Sequence, residues 1–232
     1  MKMTWLGHSA FMLEDQNALI LIDPFLKGNP QFPQELWGKA KKANAILVTH
    51  GHGDHLGDTV ELAKASGAKV LTSFELGHYL RQKGIEDKNI VGMNIGGAVP
   101  LPACTVHMVQ AIHSNSIMDG DDIIYAGYPS GFVIEWGASR IYHAGDTALF
   151  SDMGLIQSFY KPTVGLLPIG GHYTMTPIAA AYACNNLLDL EIIVPMHHNT
   201  FPVIATDVQS FSAMVTRGKV KSLTAGESIE VP

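Results

Sequence analysis

The chain has 232 residues, of which 47% are apolar and 16% are charged, and its formal net charge is −6 at pH 7. This composition excludes a disordered chain and is sufficient for a large buried core. The negative charge argues against a nucleic-acid-binding surface, which is usually basic. Two cysteines do not make a disulfide framework, and we expect both to be buried free thiols.

Short strands and helices alternate along the first hundred residues. We predict strands over 2–6, 10–14, 18–22, 45–49, 69–72 and 90–93, and helices over 58–66 and 74–83. Proline and glycine predict a loop over 26–38, with a helical turn near 34–37, and a break over 96–102. This alternation favours a βαβ layer.

The second half of the chain repeats the alternation. We predict strands over 104–112, 132–136, 140–143, 164–168 and 191–195, helices over about 150–159, 177–188 and 207–216, and two short final strands. The polar, Gly- and Asp-rich residues 114–129 predict a loop that shapes a pocket. We therefore predict a single α/β domain over residues 1–232, with similar halves of about 1–100 and 101–232.

The N-terminal residues lack the apolar run of a signal peptide, and no stretch approaches the ~18 apolar residues that a membrane helix needs. We therefore expect a cytoplasmic protein that acts on a small molecule, with no membrane or nucleic-acid partner. The sequence leaves open whether the chain forms a homo-oligomer.

The apolar run that begins at Ala45 ends in an unusual cluster, His50-Gly-His52-Gly-Asp54-His55. Histidine nitrogen and carboxylate oxygen are the ligands of Zn²⁺, Mn²⁺ and Fe. The two glycines let the backbone turn tightly enough to aim successive side chains at one region. The cluster therefore predicts a metal site with four candidate ligands.

Three later apolar runs also end in ligand-type residues, which are His113, Asp146 within Gly-Asp-Thr, and His197. Sites in open α/β sheets form beyond the carboxyl ends of strands. A polar turn residue would explain any one of these ends. It does not explain all of them together with the cluster, and the combined set predicts a site for two metals.

These motifs, together with Gly7-His8-Ser9, Leu21-Ile22-Asp23-Pro24, Gly170-Gly171-His172 and Pro195-Met196-His197, resemble the metallo-β-lactamase-fold hydrolase superfamily. Within it they are similar to the small metal-dependent hydrolases related to L-ascorbate-6-phosphate lactonase. The resemblance implies a four-layer αβ/βα sandwich with the site at the shared edge of two sheets. It also implies one cation on His50, His52 and His113, a second on Asp54, His55 and His197, and Asp146 as the bridge.

Two divalent cations, with Zn²⁺ favoured and Mn or Fe as alternatives, would activate a bridging hydroxide. We expect that hydroxide to attack an ester, a lactone or a phosphodiester. Asp54 and His172 are the candidate catalytic residues, the latter as oxyanion stabiliser, proton donor or substrate contact. His8, Asp23 and His198 are candidates for contacts to the ligands or the substrate: Asp23 either accepts a hydrogen bond from a ligand histidine or is a turn residue, and His198 competes with His197 for the last ligand position.

Two other functions stay open. A nuclease of the same fold shares the histidine cluster, but it would be expected to carry a basic RNA-docking arm, and the net charge here is negative. A non-catalytic metal-binding regulatory protein would need fewer ligands than the seven present. The scarcity of arginine, with none in a Gly-rich phosphate cradle, weakens a phosphorylated substrate without excluding it.

Overall fold

The computed structural model describes residues 1–231 as a mixed α/β protein. Its strands are β1 (Lys2–Gly7), β2 (Ala10–Glu14), β3 (Leu19–Ile22), β4 (Ala45–Leu47), β5 (Lys69–Ser73), β6 (Ile90–Met93), β7 (Ala98–Pro100), β8 (Thr105–Gln110), β9 (Ser116–Asp119), β10 (Asp122–Tyr125), β11 (Ser130–Trp136), β12 (Ser139–His143), β13 (Val164–Pro168), β14 (Ile192–Met196), β15 (Lys219–Val220) and β16 (Ser228–Glu230). Its helices are α1 (Trp37–Ala40), α2 (Gly53–Leu56), α3 (Thr59–Ser66), α4 (Phe74–Gln82), α5 (Met153–Tyr160), α6 (Pro177–Asn186) and α7 (Val208–Met214). Short 3₁₀ turns span Gln34–Leu36, Asp87–Asn89 and Pro202–Ile204.

The chain divides into two compact units. The first unit contains Met1–Asn94, Ser114–Pro129 and the segment that begins at Thr224, and the second contains Ile95–His113 and Ser130–Leu223. The expected division into halves near residue 100 is therefore incomplete, because two later segments return to the first unit. The grouping of both units into a single domain stays a prediction.

A seven-stranded sheet forms the first unit, in the order β16-β1-β2-β3-β4-β5-β6. Strands β1 to β3 pair antiparallel, whereas β3 to β6 pair parallel. Helices α3 and α4 bury Leu62 and Leu80 in the core of this unit, together with Ile46 from β4. Parallel β3 and β4 therefore end at the same edge of the sheet, where residues 23 and 48–56 follow.

A second seven-stranded sheet forms the second unit, in the order β15-β14-β13-β12-β11-β8-β7. Strands β12 to β15 pair parallel, and β11 pairs antiparallel with both β8 and β12. Strands β8, β12, β13 and β14 consequently end at the same edge. Helix α6 begins as predicted, with Pro177 in its first turn, and the Thr176 side chain accepts the Ala179 N–H.

The prediction of a loop over residues 114–129 is wrong, because β9 and β10 form an antiparallel hairpin there. The turn between them contains Gly120, whose φ is +65°. Asp119 pairs with Asp122, so the two-residue loop is Gly120-Asp121. A Gly-Asp pair between strands is a hairpin signal, but the polar composition of this segment concealed the strands. Strand β7 likewise lies inside the predicted break over 96–102.

Both cysteines are buried and neither forms a disulfide, which confirms the prediction. Burial raises the pKa of the Cys184 thiol to about 12, so its thiolate is disfavoured at neutral pH. Among residues 1–231, none of the helices has the length and apolarity that crossing a bilayer requires.

Candidate metal centre

The turn after β4 brings four ligand-type side chains together within the first unit. His50 and His52 follow the strand, and short helix α2 carries Asp54 and His55. His50 Nε2 lies 3.0 Å from His52 Nδ1, and the ring centroids of His50 and His55 are 4.1 Å apart. We call His50, His52, Asp54 and His55 the first-unit ligand set.

Two glycines allow this turn to pack closely. A Cβ on Gly51 would lie 2.7 Å from Ile117 Cγ1, so no larger residue fits between the two histidines without displacing the hairpin. Gly57, which ends α2, has a φ of +44°, and a Cβ there would lie 2.5 Å from the carbonyl oxygen of Pro24. The close backbone approach therefore requires glycine on both sides of Asp54 and His55.

A buried carboxylate, Asp23, orients two histidines of this set. Its Oδ2 accepts a hydrogen bond from Thr49 Oγ1 at 2.7 Å and lies 2.7 Å from His55 Nδ1. The single Thr49 proton is donated to Asp23, so Thr49 Oγ1 accepts at its 3.0 Å contact with His50 Nδ1. Both histidines therefore carry a proton on Nδ1, which leaves Nε2 as the nitrogen that can bind a metal.

His8 makes a comparable contact with Asp54. It is fully buried, and its Nε2 lies 3.0 Å from Asp54 Oδ2. The Trp5 indole N–H donates to the His8 carbonyl oxygen at 3.0 Å, which holds the backbone at a φ of +54°. His8, Asp54 and His55 each offer a ligand atom within 4.8 Å of the others. The structure thus places His8 beside the predicted ligands of its unit.

Three strand ends supply the corresponding set in the second unit. His113, Asp146 and His197 follow β8, β12 and β14, and we call them the second-unit ligand set. Asp146 Oδ2 lies 3.0 Å from His197 Nε2 and 3.7 Å from His113 Nε2. Asp146 and His197 are 3% and 2% exposed, so the carboxylate and imidazole are held away from bulk water. This geometry suits ligands of one metal centre.

The position of His197 depends on its neighbours. A Cβ on Gly170 would lie only 2.1 Å from the His197 carbonyl oxygen, so glycine is required there. Asn199 fixes the following loop, because its Oδ1 accepts the Thr206 N–H at 2.7 Å and its Nδ2 donates to the Thr206 carbonyl at 3.0 Å. The contact of His197 with Asp146 supports His197 over its buried neighbour His198, and the choice between them stays a prediction.

His172 follows β13 and is exposed, with its ring centroid 4.4 Å from that of Tyr173. It lies at the same sheet edge as the second-unit ligand set, because β13 runs parallel to β12 and β14. His143, by contrast, is fully buried, and its Nδ1 accepts the Gly145 N–H at 3.2 Å. His143 is therefore a packed residue of β12 and lies outside both ligand sets.

Backbone strain gathers at the predicted site residues. Within residues 1–231, the non-glycine residues with positive φ are His8, Asp23, Lys161, His172, His197 and Asn199. Four of these were singled out from the sequence as candidates for ligation, catalysis or contact with the site. Such conformations cost of order 1–3 kcal/mol each and concentrate at functional sites.

Sequence reasoning missed two polar residues that hold the first-unit set. Thr49 donates a hydrogen bond to Asp23 and accepts one from His50, so it links the buried carboxylate to that histidine. Asn115 Oδ1 accepts the Gly51 N–H at 2.7 Å, and its Nδ2 donates to the Ala126 carbonyl at 2.8 Å. Asn115 is the second residue after His113, and that proximity to a ligand was the available signal.

The donor chemistry of both sets fits a divalent transition metal. Every member offers an imidazole nitrogen or a carboxylate oxygen, and Asp23 and Thr49 select the ligating tautomer of His55 and His50. The seven ligands, their division between two cations and the bridging role of Asp146 stay predictions.

The chain is similar in sequence to known proteins. Residues 19–198 match the family described as the beta-lactamase superfamily domain. The chain is 46% identical to a UPF0173 metal-dependent hydrolase of Geobacillus thermodenitrificans and 41% identical to one of Chelativorans sp., over 232 residues in each case. The alignment with the first covers all of both chains, and the alignment with the second covers all of this chain and 99% of the relative.

A solved structure agrees with these relatives. Igni18, described as a novel metallo hydrolase from the hyperthermophilic archaeon Ignicoccus hospitalis, superposes with a TM-score of 0.87 at 38% identity, covering 100% of this chain and 99% of Igni18. The predicted fold class is thereby confirmed, whereas the relation to L-ascorbate-6-phosphate lactonase stays a prediction. This chain belongs to the UPF0173 metal-dependent hydrolase family of the metallo-β-lactamase superfamily.

Proposed function

We propose that this chain hydrolyses an ester, a lactone or a phosphodiester with the help of two divalent cations. The proposed ligands are those of the two sets, with His50, His52 and His113 on one cation, Asp54, His55 and His197 on the other, and Asp146 on both. The observation that carries the proposal is that each unit gathers imidazole and carboxylate donors at the ends of its strands. Mixed ligands of this kind favour Zn²⁺, with Mn and Fe as alternatives.

When bound, such cations lower the pKa of a coordinated water and polarise the group that is attacked. The residues of the chain prepare the site for this chemistry. Asp23 holds His55 directly, and His50 through Thr49, in the tautomer that ligation needs. His8 contacts one oxygen of Asp54 and so restrains rotation of that carboxylate. These contacts reduce the reorganisation that metal binding would otherwise require.

Two residues are proposed to contact the substrate. Asp54 has a side chain that is 32% exposed, which leaves part of its carboxylate accessible to substrate or water. His172 is exposed at the sheet edge, where it can donate a proton to a leaving oxygen or a hydrogen bond to developing negative charge. A small-molecule substrate and a cytoplasmic location are part of the same proposal.

Elemental analysis of protein purified without chelator, combined with a substrate screen, tests this function. The screen should include esters, lactones, thioesters and phosphodiesters, each with added Zn²⁺ or Mn²⁺. We expect about two metal ions per chain and turnover of one substrate class, both reduced in Asp146→Ala. Bound metal without turnover of any class would favour a non-catalytic metal-binding regulator, and cleavage of RNA would favour a nuclease.

A further inference from the structure

Thr147, which directly follows the predicted bridging ligand Asp146, is fully buried and uses its hydroxyl group twice. Its Oγ1 accepts the Ile112 N–H at 3.0 Å and donates to the Ala148 carbonyl at 2.8 Å. Ile112 in turn precedes His113. One hydroxyl therefore connects the chain segments that carry two predicted ligands of the second unit.

Backbone hydrogen bonds extend this connection to a third segment. The Ala148 N–H donates to the Ile112 carbonyl at 2.9 Å, and the Met175 N–H donates to the Thr147 carbonyl at 3.0 Å. The Gly171 N–H donates to the Met175 carbonyl at 3.0 Å, which closes the turn that contains His172. The candidate catalytic histidine and both ligands are thus tied to the same residue.

The strand pairing alone does not provide this connection. Strands β8 and β12 are separated by β11 in the sheet, so their carboxyl ends share no ladder of hydrogen bonds. Strands β8 and β12 end at Gln110 and His143, each three residues before the ligand. A link across the edge of the sheet must therefore come from the residues beyond the strands, and Thr147 supplies one.

We propose that Thr147 is a positioning residue that fixes the spacing of His113 and Asp146 and anchors the His172 turn. The proposal rests on the proposed function for its reference to metal binding. The positioning depends on the Thr147 hydroxyl group, because the Ile112 N–H would lose its acceptor if that group were removed. The two ligands would then hold a cation less well, and the expected loss is about 10- to 100-fold in metal affinity, as for other residues that orient ligands.

Three variants separate positioning from a general loss of stability. Thr147→Val removes the hydroxyl and keeps the branched shape, whereas Thr147→Ser keeps the hydroxyl. Thr4→Val is the matched control, because Thr4 is also buried and its hydroxyl hydrogen-bonds the Ser228 hydroxyl at 2.8 Å, in the other unit. Affinity for Zn²⁺ and for Mn²⁺ is measured by competition with a chromophoric chelator, and Tm is measured on the metal-free proteins.

We expect weaker metal binding in Thr147→Val, near-normal binding in Thr147→Ser and Thr4→Val, and a loss of Tm in Thr147→Val no larger than in the control. Wild-type affinity in Thr147→Val would overturn the proposal. If Thr147→Val does not fold, hydrogen exchange of the wild-type Ile112 amide decides: protection supports the link, and exchange at the rate of an unstructured peptide contradicts it.

The result stays distinct from that of the substrate screen. Wild-type protein that binds metal but turns over no substrate refutes the hydrolase proposal and leaves the affinity comparison valid. Turnover by the wild type with unchanged metal affinity in Thr147→Val refutes the positioning role alone. Wild-type protein that binds neither cation overturns both.

Discussion

The two ligand sets are built in opposite ways. The first-unit set comes from six consecutive residues, and its geometry depends on a glycine turn, a short helix and the Asp23 carboxylate. The second-unit set comes from three strand ends far apart in the sequence, and its geometry depends on sheet topology and on loops that follow the strands. A single substitution near the first-unit set should therefore weaken its metal binding only in part. Displacement of one strand end should abolish metal binding by the second-unit set.

The largest effect is expected from Asp146→Ala, which removes the only carboxylate of the second-unit set. Both cations should be lost, or one should remain weakly bound, because Asp146 is the proposed bridge. Turnover should fall by more than about 100-fold, beyond the range seen for residues that merely orient ligands. Metal content and steady-state kinetics measure the result.

Asp152→Ala is the matched control for this change, because Asp152 is an exposed acid of the same unit. It should behave as the wild type. A protein with Asp146→Ala that keeps two tightly bound metals would refute the bridging role.

Gly170→Ala tests whether the second-unit set depends on a single strand end. The added Cβ would meet the His197 carbonyl oxygen at 2.1 Å, so the segment with His197 must shift. We expect loss of about 1–3 kcal/mol of stability from overpacking, and loss of one cation. Thermal unfolding and elemental analysis provide the measurements.

Gly154→Ala serves as the comparison, because an added Cβ in helix α5 would have no neighbour closer than 4.0 Å. It should stabilise the protein by about 0.4–1 kcal/mol. Equal behaviour of the two alanine variants would show that the His197 turn is not under the constraint described.

Asp23→Asn tests the first-unit set. An asparagine side chain has one acceptor oxygen in place of two, so it cannot accept all the hydrogen bonds now made by Thr49 and His55. Metal affinity should fall by about 10- to 100-fold, with the sequence cluster itself intact. Chelator competition measures the change.

Asp58→Asn is the control, since Asp58 is not a predicted ligand and its carboxylate accepts the backbone N–H groups of Leu26 and Lys27. Metal affinity in this variant should stay close to that of the wild type. If Asp23→Asn also binds metal normally, the orientation of His50 and His55 does not depend on the buried carboxylate.

The smallest effect on metal binding is expected from His172→Ala. His172 is exposed and lies outside both ligand sets, so metal content should not change. Turnover should fall by about 10²-fold or more if it transfers a proton. Loss of metal in this variant would instead place His172 among the ligands.

The difference between the two ligand sets also explains which site residues could be predicted from the sequence. The His50–His55 cluster is visible in the sequence because its geometry is local. His113, Asp146 and His197 could be found only because each ends an apolar run, and their grouping then follows from the shared edge of parallel strands. Hydrogen bonds such as those of Thr49 and Asn115 leave no comparable trace, because they depend on side-chain directions in the folded chain.

The hairpin of β9 and β10 shows another limit. Its sequence is polar at the turn, and each strand has only four residues, in which two apolar residues are adjacent and do not alternate with polar ones. Ile117 is nevertheless buried, and it packs where a side chain on Gly51 would otherwise lie. A contact with a glycine turn more than sixty residues earlier cannot be inferred from two such short segments, so composition favoured a loop.

Anomalous X-ray diffraction from crystals of the metal-loaded protein is the most direct test of the proposed centre. We predict two peaks, one next to His50, His52 and His113, the other next to Asp54, His55 and His197, with Asp146 in contact with both. A single peak, or peaks bound by other residues, would contradict it.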